Sequence, residues 1–271
     1  MENLNITLIQ TSIHWVDVSA NLEMLTQKIA GITHKTDLIV LPETFTTGFC
    51  MDAKQYAEDV ANSKAIEWMR TTAKQKNCVI TGSLMLKEGD SFFNRLIWMK
   101  PDGSFEYYNK RHLFSHAHED ENYIAGDEKL IVELKGWKIR PLICYDLRFP
   151  VWSRNLDENG APQYDVLLYV ANWPERRVYA WKHLLIARAI ENQAYVVGLN
   201  RTGNDGNDIY YSGDSMVIDA MGQVLYHKMQ DEDVFTVELE YPAIQKVRET
   251  LQFLKDGDLF SFNKKLKIAG H

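Results

Sequence analysis

The chain has 271 residues, 45% of them hydrophobic and 11% aromatic, which is ample apolar material for a sizeable core. Its formal net charge of -7 gives no general pull toward nucleic acid, and no apolar run approaches the roughly eighteen residues of a membrane span. Met1 to Thr11 carries no basic, apolar leader, and three cysteines without a Cys-x-x-Cys pair argue against a disulfide framework or a thiolate zinc site, so the expected compartment is a reducing cytoplasm.

No linker or low-complexity stretch divides the sequence, which reads as a single domain over residues 1–271. Asn5 to Thr11 alternates as a strand. Ser19 is the expected cap of a helix presenting Leu22, Leu25, Ile29 and Ile32 on one face. Asp37 to Leu41 is a short buried strand closed by Pro42, Lys64 to Lys76 a helix with Ile66 and Met69 inward, and Cys78 to Leu84 a further strand. Phe92 to Met99 and Phe105 to Tyr108 then flank Pro-Asp-Gly-Ser, a strand–turn–strand signal.

After a loop rich in histidine and acid, Leu130 to Leu134 and Trp137 to Cys144 are joined through Lys135 and Gly136. Asp165 to Val170 is another apolar strand, Val178 to Asn192 a long helix and Ala194 to Asn200 a strand. Ser215 to Asp219 and Gln223 to His227 form a hairpin over Met221-Gly222, and Val234 to Glu240 is the last expected strand. Helices alternating with strands, plus hairpins in each half, indicate an α/β fold with mixed sheets and helices outside. Residues 250–271 form a C-terminal extension whose Leu251, Phe253, Leu254, Phe260 and Phe262 supply apolar anchors, for a partner or for its own subunit. Lys264, Lys265 and Lys267 read as a solvated tail.

One cysteine sits where a reactive thiol would. Cys78, in Cys-Val-Ile, opens an apolar strand and behaves as a small hydrophobe, while Cys50 has no activating neighbour in sequence. Cys144 ends the run Pro-Leu-Ile-Cys and precedes a polar turn, a strand-to-helix junction that exposes a nucleophile and faces backbone N–H groups toward an oxyanion. A thiol near its ordinary value of about 8.5 needs a base or a cation to attack at neutral pH. Glu43 and Lys110 each follow a predicted strand, where α/β sheets gather their chemistry. Singly, each of the three has a plain structural explanation.

Together they form a pattern. Glu43 in Leu-Pro-Glu-Thr-Phe, Lys110 in Tyr-Asn-Lys-Arg-His-Leu-Phe and Cys144 in Ile-Cys-Tyr-Asp-Leu-Arg-Phe-Pro resemble the nitrilase superfamily of carbon–nitrogen hydrolases in order and context. The resemblance covers almost the whole chain, continuing through Val170-Ala-Asn-Trp-Pro, Ala187-Arg-Ala-Ile-Glu-Asn-Gln, Val197-Gly-Leu-Asn-Arg and Tyr211-Ser-Gly-Asp-Ser. Within the superfamily the likeness is greatest to omega-amidases of the YafV type, chiefly through Cys-Tyr-Asp-Leu-Arg-Phe-Pro and Ala-Asn-Trp-Pro.

The resemblance implies a four-layer αββα sandwich and a homodimer or larger homo-oligomer paired through an outer helical face. It implies Cys144 as nucleophile and Glu43 as base, with Lys110 and the Tyr145 N–H on the oxyanion and no metal or organic cofactor. The family's second glutamate precedes a glycine; Glu119 has the usual spacing to Gly126 and is taken over Glu121. The implied substrate is the terminal amide of a small 2-oxo dicarboxylic acid, such as 2-oxoglutaramate or 2-oxosuccinamate. Its carboxylate calls for an arginine, with Arg148, Arg176 and Arg177 as candidates, although Arg148 is near enough to Asp146 to pair with it instead. Trp173 and Phe114 are candidate pocket walls.

Three other readings compete. His112, His116 and His118 cluster with Glu119, Asp120 and Glu121 and could hold zinc, but without a His-Glu-x-x-His motif. A catalytically inactive binding protein would have little reason to retain Glu43, Lys110 and Cys144 together. A deaminated-glutathione amidase, a carbamoyl-amide hydrolase or a true nitrilase would use the same residues on a different substrate.

Overall fold

Side chains alternate across β1 (Leu4–Gln10), which sends Leu4, Ile6 and Leu8 to one core layer and Ile9 to another. The computed structural model describes residues 1–157 and 159–261, so Phe262 and the Lys264, Lys265 and Lys267 cluster lie outside the described residues. The first half continues with α1 (Val18–Ala30), β2 (Leu38–Val40), α2 (Ala53–Tyr56), β3 (Glu58–Asp59), α3 (Lys64–Lys76), β4 (Val79–Glu88), β5 (Ser91–Met99) and β6 (Phe105–Asn109). The next segment contains α4 (Glu119–Asn122), β7 (Val132–Leu134), β8 (Trp137–Ile143), α5 (Pro150–Ser153), β9 (Val166–Ala171) and α6 (Val178–Asn192). It ends with β10 (Tyr195–Asn200), β11 (Thr202–Asn204), β12 (Tyr210–Ile218), β13 (Val224–Met229), β14 (Asp233–Leu239) and α7 (Tyr241–Thr250).

Two mixed sheets result, ordered β14-β1-β2-β4-β5-β6 with β3 on β4, and β11-β12-β10-β9-β8-β7 with β13 on β12. In each, the central joins are parallel (β1–β2–β4 and β8–β9–β10) and the joins on either side antiparallel. The last strand returns to the first sheet, where β14 pairs with β1 from Leu4↔Leu239 to Gln10↔Asp233. Leu25, Ile29, Ile66 and Met69 of α1 and α3 cover one outer face, and Trp181, Leu185 and Ala189 of α6 cover the other. Leu4, Ile6, Leu96 and Trp98 of the first sheet share one core cluster with Trp137, Ile139 and Val197 of the second. The architecture is a four-layer αββα sandwich.

Local chemistry moves some boundaries. Asp17, not Ser19, caps α1: its carboxylate accepts the Ala20 N–H at 3.0 Å, and Asn21 fixes the incoming loop by accepting the His14 N–H at 2.8 Å. Ser19 lies inside the first turn. β4 runs on to Glu88 because Gly89, at φ +60°, makes the tight turn into β5. Beyond β14, α7 places Pro242 in its first turn, where a missing N–H costs nothing. The described part of the extension packs on its own subunit: Leu254 is buried and the Leu251 carbonyl accepts from Gln193 Nε2 at 2.7 Å, while Phe253 is 61% exposed.

Candidate active site

Four strand ends converge. Glu43 follows β2 in a loop held by Leu41 N–H to Thr81 O (2.7 Å) and Thr44 N–H to Ser83 Oγ (2.8 Å). Lys110 follows β6, Cys144 follows β8 and Asn172 follows β9. Cys144 opens a tight 3-10 turn over Cys144–Arg148 with φ +40°, a conformation that β-carbons disfavour and that the surroundings must hold. Asp146 holds it. Its Oδ2 accepts the Ile143 N–H at 3.0 Å and the Tyr108 hydroxyl at 2.8 Å, and its Oδ1 accepts the His112 N–H at 3.0 Å. The Cys144 turn is thus fastened to the segment on either side of Lys110. The pairing of Arg148 with Asp146 weighed from sequence does not form, because Tyr108, His112 and Ile143 occupy that carboxylate.

Lys110, Glu43 and Glu119 are 1%, 0% and 0% exposed. Lys110 Nζ donates to Glu43 Oε1 at 2.9 Å and to Glu119 Oε1 and Oε2 at 2.9 and 2.8 Å. Glu119 Oε2 also accepts the Phe114 N–H at 2.6 Å. Glu43 Oε2 accepts the Asn172 N–H at 2.7 Å, and the Asn172 carbonyl lies 3.8 Å from Cys144 Sγ. Burial pulls the Lys110 ammonium down, but Glu119 and then Glu43 outweigh it and hold Lys110 well above the ordinary lysine range. Burial pushes Glu119 up, against the opposing pull of Lys110. Burial and then the Glu43 charge push Cys144 far up, with Lys110 opposing. At neutral pH the sulfur is therefore a thiol, and attack requires a base to take its proton.

A cavity of about 240 Å³ opens onto Cys144 and Lys110. Phe114, Tyr145 and Trp173 line it, as expected from the sequence, and so do all three candidate arginines. The Arg148 guanidinium lies 4.8 Å from the Trp173 ring and that of Arg177 lies 5.1 Å from the Phe114 ring. Among the described residues none of the three pairs with a carboxylate. Burial and the neighbouring Arg176 charge pull Arg177 down. The arrangement suits a small anion whose far end reaches the thiol.

The remaining candidates separate. Glu121 is exposed and pairs with His118 at 2.9 Å, whereas Glu119 turns inward. His112 binds Asp146 and stacks on Phe149 at 3.7 Å, and His116 lines the cavity, so the three histidines point into three different surroundings. Cys78 is buried in the layer under α3, and Cys50 packs with Ala53, Met85 and Tyr123. Sequence reading missed Asn94 and Asn172, which both bind Glu43, and Phe49 and Tyr211, which line the cavity. Asn172 and Tyr211 stand in motifs already singled out; for Asn94 the only signal is an amide at an inward-facing position of an apolar strand.

The chain matches the carbon–nitrogen hydrolase family over residues 5–249. It is 46% identical to the omega-amidase YafV of Escherichia coli K12, across 96% of this chain and 99% of that one. It is 34% identical to a 2-oxoglutaramate amidase of Bacillus subtilis, across 93% and 96%. A crystal structure of a CN-hydrolase superfamily protein from Xanthomonas campestris, with an arsenic adduct in its active site, superposes with a TM-score of 0.94 at 44% identity, covering 97% of this chain and all of that one. The chain therefore belongs to the carbon–nitrogen hydrolase family, within the nitrilase superfamily.

Proposed function

We propose that the protein is an omega-amidase that hydrolyses the terminal amide of a small 2-oxo dicarboxylic acid monoamide, such as 2-oxoglutaramate or 2-oxosuccinamate, to the acid and ammonia. The observation that carries this reading is one cavity lined by Cys144 and Lys110, with the Glu43–Lys110–Glu119 cluster beside them, and by three arginines that pair with no carboxylate among the described residues. The relatives named omega-amidase and 2-oxoglutaramate amidase support the same substrate class.

Glu43 takes the Cys144 proton as sulfur bonds to the amide carbon. Lys110 donates to Glu43 Oε1 and to both oxygens of Glu119, and turns one of its two Glu119 contacts toward the oxyanion as that charge forms. The Tyr145 N–H, in the first turn of the 3-10 segment and without an acceptor inside it, is the second oxyanion donor. As the tetrahedral species collapses, the carbon–nitrogen bond breaks, and Glu43 returns the proton to departing ammonia. A water that gives its proton to Glu43 then attacks the thioester, and the thiol is restored. Glu119 orients Lys110. Arg148, Arg176 and Arg177 receive the substrate carboxylate, between the Phe114 and Trp173 walls.

The unit is one hydrolase domain over residues 1–271 with 250–271 as an extension, acting in the cytoplasm, where the thiol stays reduced. Pairing into a homodimer is supported by the outer face of α6, where Tyr179 is 74% and Ile190 52% exposed beside Met221 at 51%. The experiment that tests the function is ammonia release from 2-oxoglutaramate by the native chain and by Cys144→Ala, each after chelator treatment. Release by the native protein alone is expected. No release from either would overturn the substrate, and sustained release from Cys144→Ala would overturn the mechanism.

A further inference from the structure

Asn94 stands in β5 where the pattern calls for a hydrophobe. Leu96 and Trp98, two and four residues on, lie on its side of the strand and are fully buried in the core. Asn94 is buried as well. Its Nδ2 donates to Glu43 Oε1 at 2.8 Å and to Glu119 Oε1 at 3.2 Å, the same two oxygens that Lys110 Nζ binds at 2.9 Å each. Its backbone carbonyl accepts the Lys110 N–H at 2.9 Å. Its Oδ1 has no hydrogen-bond partner among the described residues. Ionised carboxylates only accept, so the amide must present its NH2 to them, which leaves the oxygen stranded. Folding gains nothing from that stranded acceptor, and a leucine would remove it.

Two carboxylates in a buried site share one ammonium, an arrangement that favours protonating one of them. Asn94 supplies one neutral N–H to each. We propose that Asn94 is a positioning residue of the amidase, whose two side-chain N–H groups hold Glu43 and Glu119 ionised and fixed on either side of Lys110, so that Glu43 is ready to receive the Cys144 proton. The inference rests on the hydrolase reading above. The titratable groups facing Glu43 are Lys110, Glu119, Cys144 and, across the Glu119 side, the Tyr123 hydroxyl.

Asn94→Leu tests this through two pH profiles, kcat/KM for 2-oxoglutaramate and the rate of Cys144 alkylation by iodoacetamide. In the second, sulfur bonds to the iodoacetamide carbon, iodide leaves and the thiol proton goes to Glu43. With one donor gone from each carboxylate, the acid limb of both profiles is expected to move up by about one pH unit, and kcat/KM at neutral pH to fall about ten- to a hundredfold, with a loss of a few degrees in thermal midpoint that a uniform destabilisation would give without the displaced limb. Profiles that superimpose on the native ones, or a uniform loss without displacement, overturn the proposal. If the native chain releases no ammonia, the substrate reading fails while the alkylation profiles still decide the role of Asn94. Should Asn94→Leu not fold, Asn94→Ala carries the same comparison.

Discussion

Asn172 grips Glu43 from two directions: its backbone N–H donates to Glu43 Oε2 at 2.7 Å, and its side-chain Nδ2 donates to the Glu43 carbonyl at 2.8 Å. The same Nδ2 reaches Thr44 Oγ1 at 3.0 Å, and the Asn172 carbonyl faces Cys144 Sγ. A residue at the end of β9 in the second sheet therefore sets the angle at which a carboxylate from the first sheet meets the sulfur. Glu43 and Cys144 come from different sheets, and Asn172 joins them.

Replacing that side chain separates the two effects. Asn172→Ala keeps the backbone N–H on Oε2 but leaves the Glu43 carbonyl and Thr44 Oγ1 short of a donor. The expected cost is about 1–2 kcal/mol of stability, a drop of a few degrees in thermal midpoint. The turnover number is expected to fall about tenfold or more through the loosened carboxylate, with KM changed little because Phe114, Trp173 and the three arginines of the cavity stay in place. A variant with lowered midpoint and native kcat would show that Asn172 serves folding alone.

Lys110→Met removes the cation between two buried carboxylates, and its cost depends on pH. Burial already pushes Glu119 up and Lys110 opposes it, so without Lys110 the protonated carboxyl is favoured further. A carboxyl raised in the folded state contributes stability in acid that is lost as pH rises through its folded value. The deficit against the native chain is therefore expected to be smallest near pH 5 and to grow toward about 3–5 kcal/mol at pH 8. Denaturant unfolding at the two pH values reads this directly, and an equal deficit at both would contradict it. Amide hydrolysis should be lost throughout.

Gly126→Ala probes why a glycine follows the Glu119 segment. Gly126 N–H donates to the Lys110 carbonyl at 2.9 Å, and a β-carbon there would come within 2.8 Å of Asn109 Cβ and still nearer the Asn109 carbonyl oxygen. The obstacle is largely backbone and cannot rotate away, so either residue 126 or the Asn109–Lys110 strand end must shift. A loss of about 1–3 kcal/mol is expected, together with reduced kcat, since a shift of even 1 Å moves Lys110 away from its place beside Glu43 and Glu119, where the proposed mechanism needs it. Native turnover in a destabilised variant would show that the shift is absorbed on the Gly126 side.

The sequence made Glu43, Lys110 and Cys144 legible because each follows a clear strand and stands in a distinctive motif. Glu119 could be preferred to Glu121 only through its distance to Gly126, since nothing local distinguishes a carboxylate turned inward from one paired with His118 at the surface. Asn94 stayed hidden because strand periodicity says which side a residue faces and not what it meets there. Its partners, Glu43 and Glu119, are 51 and 25 residues away. Boundaries slipped where two residues could do the same job, as with Asp17 and Ser19 at the start of α1. The short β11 was missed because its pairing with β12 is set by tertiary register, Thr202↔Ser212 through Asn204↔Tyr210, with little pattern of its own.

The three cavity arginines are distinguishable by their surroundings. Arg176 is exposed, so water and salt screen its charge. Arg148 and Arg177 are half-buried against the Trp173 and Phe114 rings, which hold their planes in place and leave fewer rotamers to freeze when an anion arrives. Burial also pulls Arg177 down, a sign of a desolvated charge that gains most from an incoming carboxylate. Arg177→Ala and Arg148→Ala are therefore expected to raise KM for 2-oxoglutaramate about ten- to a hundredfold, and Arg176→Ala by less than about threefold. A neutral amide of similar length, lacking the carboxylate, should lose little in any of the three, so the ratio of kcat/KM for the two amides is the discriminating measurement. If all three variants keep the native ratio, the carboxylate is bound elsewhere and the arginines serve the walls of the cavity. If Arg176→Ala alone collapses it, the anion sits at the exposed side of the cavity, farther from the aromatic walls than their geometry suggests.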